Sequence, residues 1–327
     1  MITVFIGTFN RLDSLERTVT SYERFPQELE LVICDNGTEN PEALAVLARL
    51  ERHPLVKKIY SLPRVYTMEE ITDNFNVAVR DQYLIGDAEW FAISEADISF
   101  EQTDPAAMGI YLTLAEHFHR AVGPHLRVDK EIPWTYPFRS RVLATESQLV
   151  YRSSMKWIDI IPYSEWQIDT TFHLFPRTVE FRRLHMNPLR VGYPYDAMHL
   201  DWYLNIFEPT RENEIYIQNE RGIGSWGRLW LSDFWWRFQS NPEDAFETVL
   251  NAPRINGDLC NTAFVLSWCY QYGAGCEQDL TRSRAELHRA VPNAVEYHEQ
   301  RYWRTGADWT AMIYDNDFSA LGWHASD

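Results

Sequence analysis

Residues 74–100 read NFNVAVRDQYLIGDAEWFAISEADISF. Residues 74–83 have the look of a helix, and the short apolar run 89–93 that of a strand running straight into Ser94-Glu95-Ala96-Asp97. Two acids two apart, just past a strand, can both face a hard divalent ion while Ala96 points away. Mg²⁺ or Mn²⁺ held by one or two carboxylates keeps open positions for water and phosphate oxygens. Alone, Glu-x-Asp is common in an acidic chain, so its meaning depends on what surrounds it.

Working outward, the preceding residues alternate as βαβ units do. Residues 2–6 are a continuous apolar run, as in a strand covered on both faces. Leu12, Leu15 and Val19 then recur at helical spacing within 10–22. A second apolar strand, 29–34, ends at the turn signal Asp35-Asn36-Gly37. Pro41 opens a helix whose apolar face runs through 43–50, and 56–60 reads as a third strand. This order predicts a doubly wound, mostly parallel sheet, on which ligands bind beyond the C-terminal strand ends. Polar clusters fall at three such ends: 8–11, 35–38 and 95–97. No fixed-period repeat or low-complexity linker interrupts the chain. From Gly222 onward it becomes helical and Trp-heavy, which places a boundary near residue 215: a doubly wound α/β domain over 1–215 and a mainly helical region over 216–327.

Composition narrows the function. The 327 residues carry a net charge of −17, which disfavours phosphate backbones and anionic lipid surfaces as general partners. No run of about 20 apolar residues suggests a membrane span, and residues 1–11 read as a buried first strand rather than a leader. Four cysteines without C-x-x-C pairing or zinc spacing read as thiols in a reducing cytoplasm. G-x-G-x-x-G, G-x-x-x-x-G-K-[ST] and G-x-S-x-G are all missing, which argues against a nicotinamide dehydrogenase, a P-loop ATPase and an α/β-hydrolase. With acids at strand ends, a metal-bridged phosphate ligand is the simplest remaining explanation. Thirteen Trp residues fit a core, and Trp134, Tyr136, Trp166, Trp202 and Trp226 are also candidates for sugar-stacking walls. Arg177, Arg182, Arg183 and Arg190 form either a solvated, ion-paired face or a receiver for phosphate or an acidic glycan.

Three blocks in order, ITVFIGTFNRLDSLERTVTSY (2–22), LVICDNGTENPEAL (31–44) and residues 74–100, resemble family 2 glycosyltransferases of the GT-A fold. IDTTFHLF (168–175) and YDAMHLDWYL (195–204) resemble two further blocks of a bacterial subgroup. The resemblance implies a metal-dependent transferase, with Mn²⁺ or Mg²⁺, moving a sugar from a nucleotide-diphosphate donor to a glycan or glycolipid acceptor, by inversion. A UDP-sugar is the favoured donor, with no nucleic-acid partner and no transmembrane segment. It further implies a cytoplasmic protein with room for peripheral docking at the inner membrane face. Thr8, Asn10 and Arg11 would line the nucleotide end, Asp35 would bond the base, and Asn76 would sit near the diphosphate. Asp97 would bind the metal, and Glu95 would serve either metal or ribose. His199 would return as a further ligand, or else be a satisfied structural histidine. Asp169 is the first choice for general base, ahead of Glu165 and Asp201, with helix capping or acceptor orientation as the competing role. Two other functions stay open: a carbohydrate-binding protein without turnover, and a sugar-nucleotide pyrophosphorylase, which normally needs a Gly-rich loop missing from IGTFNR.

Overall fold

A computed structural model of the chain describes residues 1–150, 155–165, 171–182, 188–205, 208–219, 231–252, 259–297 and Tyr314. In chain order the elements are β1 (Ile2–Thr8), α1 (Asp13–Ser21), β2 (Leu29–Asp35), α2 (Pro41–Leu50), β3 (Val56–Ser61), α3 (Met68–Ile85), β4 (Trp90–Glu95), β5 (Ile98–Ser99), α4 (Ala107–Phe118) and β6 (Val122–Pro124). They continue as α5 (Arg139–Val150), β7 (Lys156–Ile158), β8 (Ile161–Glu165), β9 (Phe172–Pro176), β10 (Leu189–Val191), β11 (Met198–His199), α6 (Arg211–Asn219), α7 (Leu231–Ser240), α8 (Pro242–Leu250), α9 (Leu259–Tyr272) and α10 (Leu280–Tyr297). No helix of the described residues is long and apolar enough to cross a membrane.

The chain divides into two units. The first holds Met1–Arg127, Met155–Asp201 and Arg211–Asn219, and the second holds Val128–Ser154, Trp202–Thr210 and Glu220–Asp327. A single boundary near residue 215 is therefore crossed: α5 packs with α9, drawing its segment into the second unit.

The first unit carries a nine-stranded sheet in the order β3-β2-β1-β4-β9-β6-β10-β8-β7. The parallel start read from the sequence holds for β1 to β4. Beyond β4 the sheet is mixed, because β9 runs antiparallel to both β4 and β6. β1 is apolar on both sides because both faces are covered. One face packs Phe5, Phe75, Phe91, Phe175 and Phe181. Across the sheet Tyr22, Phe25, Phe100 and Phe172 make edge and tilted ring contacts at 5.1–6.5 Å. Pro41 opens α2 as expected, and the Asn40 side chain caps it by accepting from the amides of Glu42 and Ala43. α3 begins six residues earlier than the sequence reading placed it. Thr67 and Glu70 form a reciprocal capping box that fixes this start. At its other end Arg177 donates to the carbonyls of Gly86 (2.8 Å) and Tyr83. That arginine closes a helix terminus rather than offering itself to an anion, while Arg190 is buried in β10 and Arg183 lies outside the described residues.

The second unit is helical and aromatic. Trp268 of α9 is buried against Phe238, its indole N–H donating 2.7 Å to the Trp134 carbonyl. Tyr136 is buried, whereas Trp134 is 49% exposed and lies 4.7 Å from the Tyr272 ring. Cys34, Cys269 and Cys276 are free thiols.

His125 in the first unit gives a pH prediction. It is fully buried, with Nε2 2.9 Å from the Ser164 hydroxyl. Burial, aided by the nearby charge of Arg190, pushes its pKa down from 6.5 to about 3. Between those values the unfolded chain binds a proton that the folded chain refuses, so this contribution is complete above pH 6.5 and lost as pH falls toward 3. The loss between pH 6.5 and 5 amounts to roughly 2 kcal/mol. Urea midpoints measured at pH 7, 6 and 5 should fall for the wild type and stay flatter over that window for His125→Gln.

Candidate metal centre

The strand order 3-2-1-4 reverses between β1 and β4, which makes their C-terminal ends the switch point at which doubly wound sheets bind ligands. Register places Thr8 beside Asp35 and Gly7 beside Glu95, which brings all three polar strand ends to one edge.

Three bonds pin the acidic loop. The Glu95 amide donates to the Thr171 carbonyl (3.2 Å), and the Thr18 hydroxyl of α1 donates to the Ala96 carbonyl (2.8 Å). The Leu200 amide donates to the Asp97 carbonyl (2.7 Å). This last bond extends the short antiparallel pair β5–β11, in which His199 faces Ile98 across the ladder. Two residues of strand thus carry His199 across a gap of 102 positions to the acids. Glu95, Asp97 and His199 each offer a ligand atom, all within 4.8 Å of one another. The cluster is positioned to coordinate a divalent cation.

Arg11, at the end of β1, is the cation already present. Its Nη1 and Nη2 fork onto the two Asp201 oxygens at 2.8 and 2.7 Å. Nη1 also reaches Glu212 (3.3 Å), and Nη2 stands 3.5 Å from Asp97 Oδ2. Tyr216 lies under the guanidinium, 3.7 Å from the ring centroid. The same Asp97 oxygen is 3.5 Å from His199 Nδ1. Burial alone would lower the Arg11 pKa, but Asp201, Tyr216 and Asp97 outweigh it and hold it well above its ordinary value. Asp97 moves up, chiefly through burial and then through Asp201, against the pull of His199 and Arg11. Burial pushes Asp201 up as well, yet the Arg11 fork leaves it below the usual carboxylate range. Arg11 and His199 offset the loss of solvation at both carboxylates, and a metal ion at Asp97 would supply the same compensation.

Asn10 holds two strand-end loops together. Its left-handed backbone (φ 50°) turns the chain, its amide donates to Thr38 Oγ1 (2.9 Å), and its Oδ1 accepts from the amides of Glu39 and Asn40. Among the described residues, Asn10 Nδ2 and Thr8 Oγ1 are buried without a hydrogen-bond partner. Asp35 is buried beside them, raised by desolvation, with Oδ1 accepting from the Thr38 amide. Gly37 completes that turn at φ +81°, where a Cβ would stand 2.8 Å from the Arg64 backbone.

Other expected residues lie elsewhere. Asn76 is closed on the Phe181 backbone, donating at 3.1 Å and accepting at 2.6 Å, so it ties α3 to the segment after β9 rather than facing the acids. Glu165 is bound by Arg120 and Lys156, which lower its pKa. Asp169, Trp166 and Trp226 lie outside the described residues. Glu212 and Tyr216 escaped the sequence reading. Their spacing of four on one helix was visible, but nothing in it pointed to residue 11.

No family model matches this chain, and no curated protein does. Several solved structures are similar to it. They include a mannosyltransferase from Pyrobaculum calidifontis in complex with GDP-Man and Mn²⁺, at 13% identity and TM-score 0.40 over 99% of this chain and 82% of that one. S. aureus TarS is 10% identical, with TM-score 0.39 over 96% of this chain, which spans only 55% of the TarS chain. TarS 1–349 in complex with UDP-GlcNAc is 11% identical, with TM-score 0.35 and 93% of each chain covered. At such values the likeness adds nothing to the fold, which rests on the strand order above.

Proposed function

We propose that the chain is a metal-assisted glycosyltransferase of the GT-A type, resembling family 2, which transfers a sugar from a nucleotide-diphosphate donor to a glycan hydroxyl with inversion. The Glu95–Asp97–His199 cluster at the β1/β4 switch point carries this reading. Two orphaned buried polar atoms, Thr8 Oγ1 and Asn10 Nδ2, lie at the end of β1, whose neighbour β2 ends in Asp35, and support it. They ask for a partner that a nucleoside supplies.

Within this reading the three ligands hold a divalent cation, and the histidine favours a borderline ion such as Mn²⁺ over a purely oxygen-bound one. A cation held there would stabilise negative charge on a departing diphosphate. Arg11 spends its terminal donors on carboxylates, so it serves the donor through the acids rather than by direct contact. Asp201, forked onto Arg11, and Glu165, bound by two cations, are both poor proton acceptors. Asp169 therefore remains the proposed general base. UDP remains the favoured nucleotide, and the cytoplasmic face of a membrane a fitting place for a glycolipid acceptor.

A calorimetric titration of UDP and GDP with and without Mn²⁺, followed by a donor screen read by product mass, tests the proposal. Metal-dependent nucleotide binding with sugar transfer is the expected result. Absence of binding by every nucleoside diphosphate would sink it.

A further inference from the structure

We propose that Arg11 sets the cation affinity of the centre by holding Asp201 out of its ligand set. This inference rests on the metal-assisted reading and goes beyond it. Asp201 and Asp97 meet the same Arg11 nitrogen, Nη2, at 2.7 and 3.5 Å, and Asp201 stands two residues beyond His199, so it neighbours two of the three ligands. A carboxylate so placed is a ready fourth ligand. Both of its oxygens are instead taken by a planar fork at 2.7 and 2.8 Å, whereas the same guanidinium reaches Asp97 only once, at 3.5 Å. The asymmetry matters: Arg11 commits to Asp201 and meets Asp97 through one oxygen only, at 3.5 Å.

The fork is also fixed in place. Tyr216 covers one face of the guanidinium and Glu212 takes Nη1 from α6. Arg11 therefore cannot follow an incoming ion or swing aside without breaking contacts to α6 and to Asp201. Its charge does two things at once. It keeps the carboxylates of Asp97, Asp201 and Glu212 tolerable around it when no metal is bound, and it repels the ion enough to keep binding reversible. A lysine would retain the charge but offer a point donor, unable to bridge both oxygens of Asp201. Arg11 is accordingly a positioning residue that trades affinity for exchange.

The test is a double-mutant cycle read by Mn²⁺ calorimetry on the full chain, without nucleotide. Arg11→Lys should bind Mn²⁺ at least about tenfold tighter than wild type, because a freed Asp201 joins the ion. In an Asp201→Asn background the same Arg11→Lys change should alter affinity by less than about twofold. A merely structural arginine would weaken or leave unchanged the binding of metal in both backgrounds. If the lysine variant does not fold by circular dichroism, Arg11→Gln is titrated in the same two backgrounds; loss of the charge tightens both, and tightening at least about tenfold greater where Asp201 is present is the expected result. A wild-type chain with no Mn²⁺ affinity overturns the metal-assisted reading. A wild-type chain that binds, with no tightening on Arg11 substitution, or with equal tightening in both backgrounds, overturns the role of Arg11 alone.

Discussion

Asp97→Asn should erase the Mn²⁺-dependent rise in melting temperature and cut sugar transfer by at least about 10²- to 10³-fold, the scale for losing one electrostatic element of a transition state. The substitution keeps the shape of the side chain and removes one anion from a pocket that holds Asp97, Asp201 and Glu212 around a single arginine. The metal-free protein should consequently melt no lower than wild type. Burial already pushes Asp97 toward its neutral form, so an amide there asks little of the fold. Differential scanning fluorimetry with and without Mn²⁺ separates the two effects in one experiment. A variant that melts early and still responds to Mn²⁺ would mean that Asp97 is a structural acid and no ligand.

Glu212→Ala should destabilise the first unit by about 3–5 kcal/mol, read as a shift of the urea midpoint at pH 7. Glu212 is buried, and its Oε2 accepts from the amides of Leu12 and Ser14 at 2.9 Å each. The Ser14 hydroxyl donates to its other oxygen, which also meets Arg11. α1 has no side-chain cap of its own at Leu12, so this distant carboxylate does the capping. Removing it strands buried N–H groups at a helix start and leaves Arg11 one counter-charge short. Glu212→Gln should cost less, since an amide oxygen can still accept from one of the backbone donors. A loss below about 1 kcal/mol for the alanine variant would show that water replaces the carboxylate in full.

How much of this was legible beforehand depends on sequence distance. Glu95 and Asp97 stand directly after an apolar strand, and Thr8 and Asp35 end two others, so their convergence follows from the βαβ order alone. The start of α3 was equally local. Thr67 and Glu70 spell a capping box, and the six-residue error came from reading the apolar spacing without it. Asn76 is set near the diphosphate only by the family resemblance, and helix position does not reveal which backbone a side chain will meet. His199 reaches the acids through two residues of ladder, too short for any periodic signal. Asp201 looked like a candidate base as long as its partner was unknown, and Arg11 changes that role completely. Glu212 and Tyr216 depend on contacts spanning some two hundred positions, which no window of sequence contains.

The long reach of Glu212 also bears on how the molecule is made. A chain emerging from the ribosome presents Leu12 and Ser14 about 200 residues before their acceptor exists. Closing so large a loop is slow, and high contact order delays the step that needs it. The parallel strands can pair early, but the first helix remains frayed at its leading end until α6 arrives. A chain released before α6 thus carries Arg11 and the acids without the Glu212 carboxylate that caps the first helix.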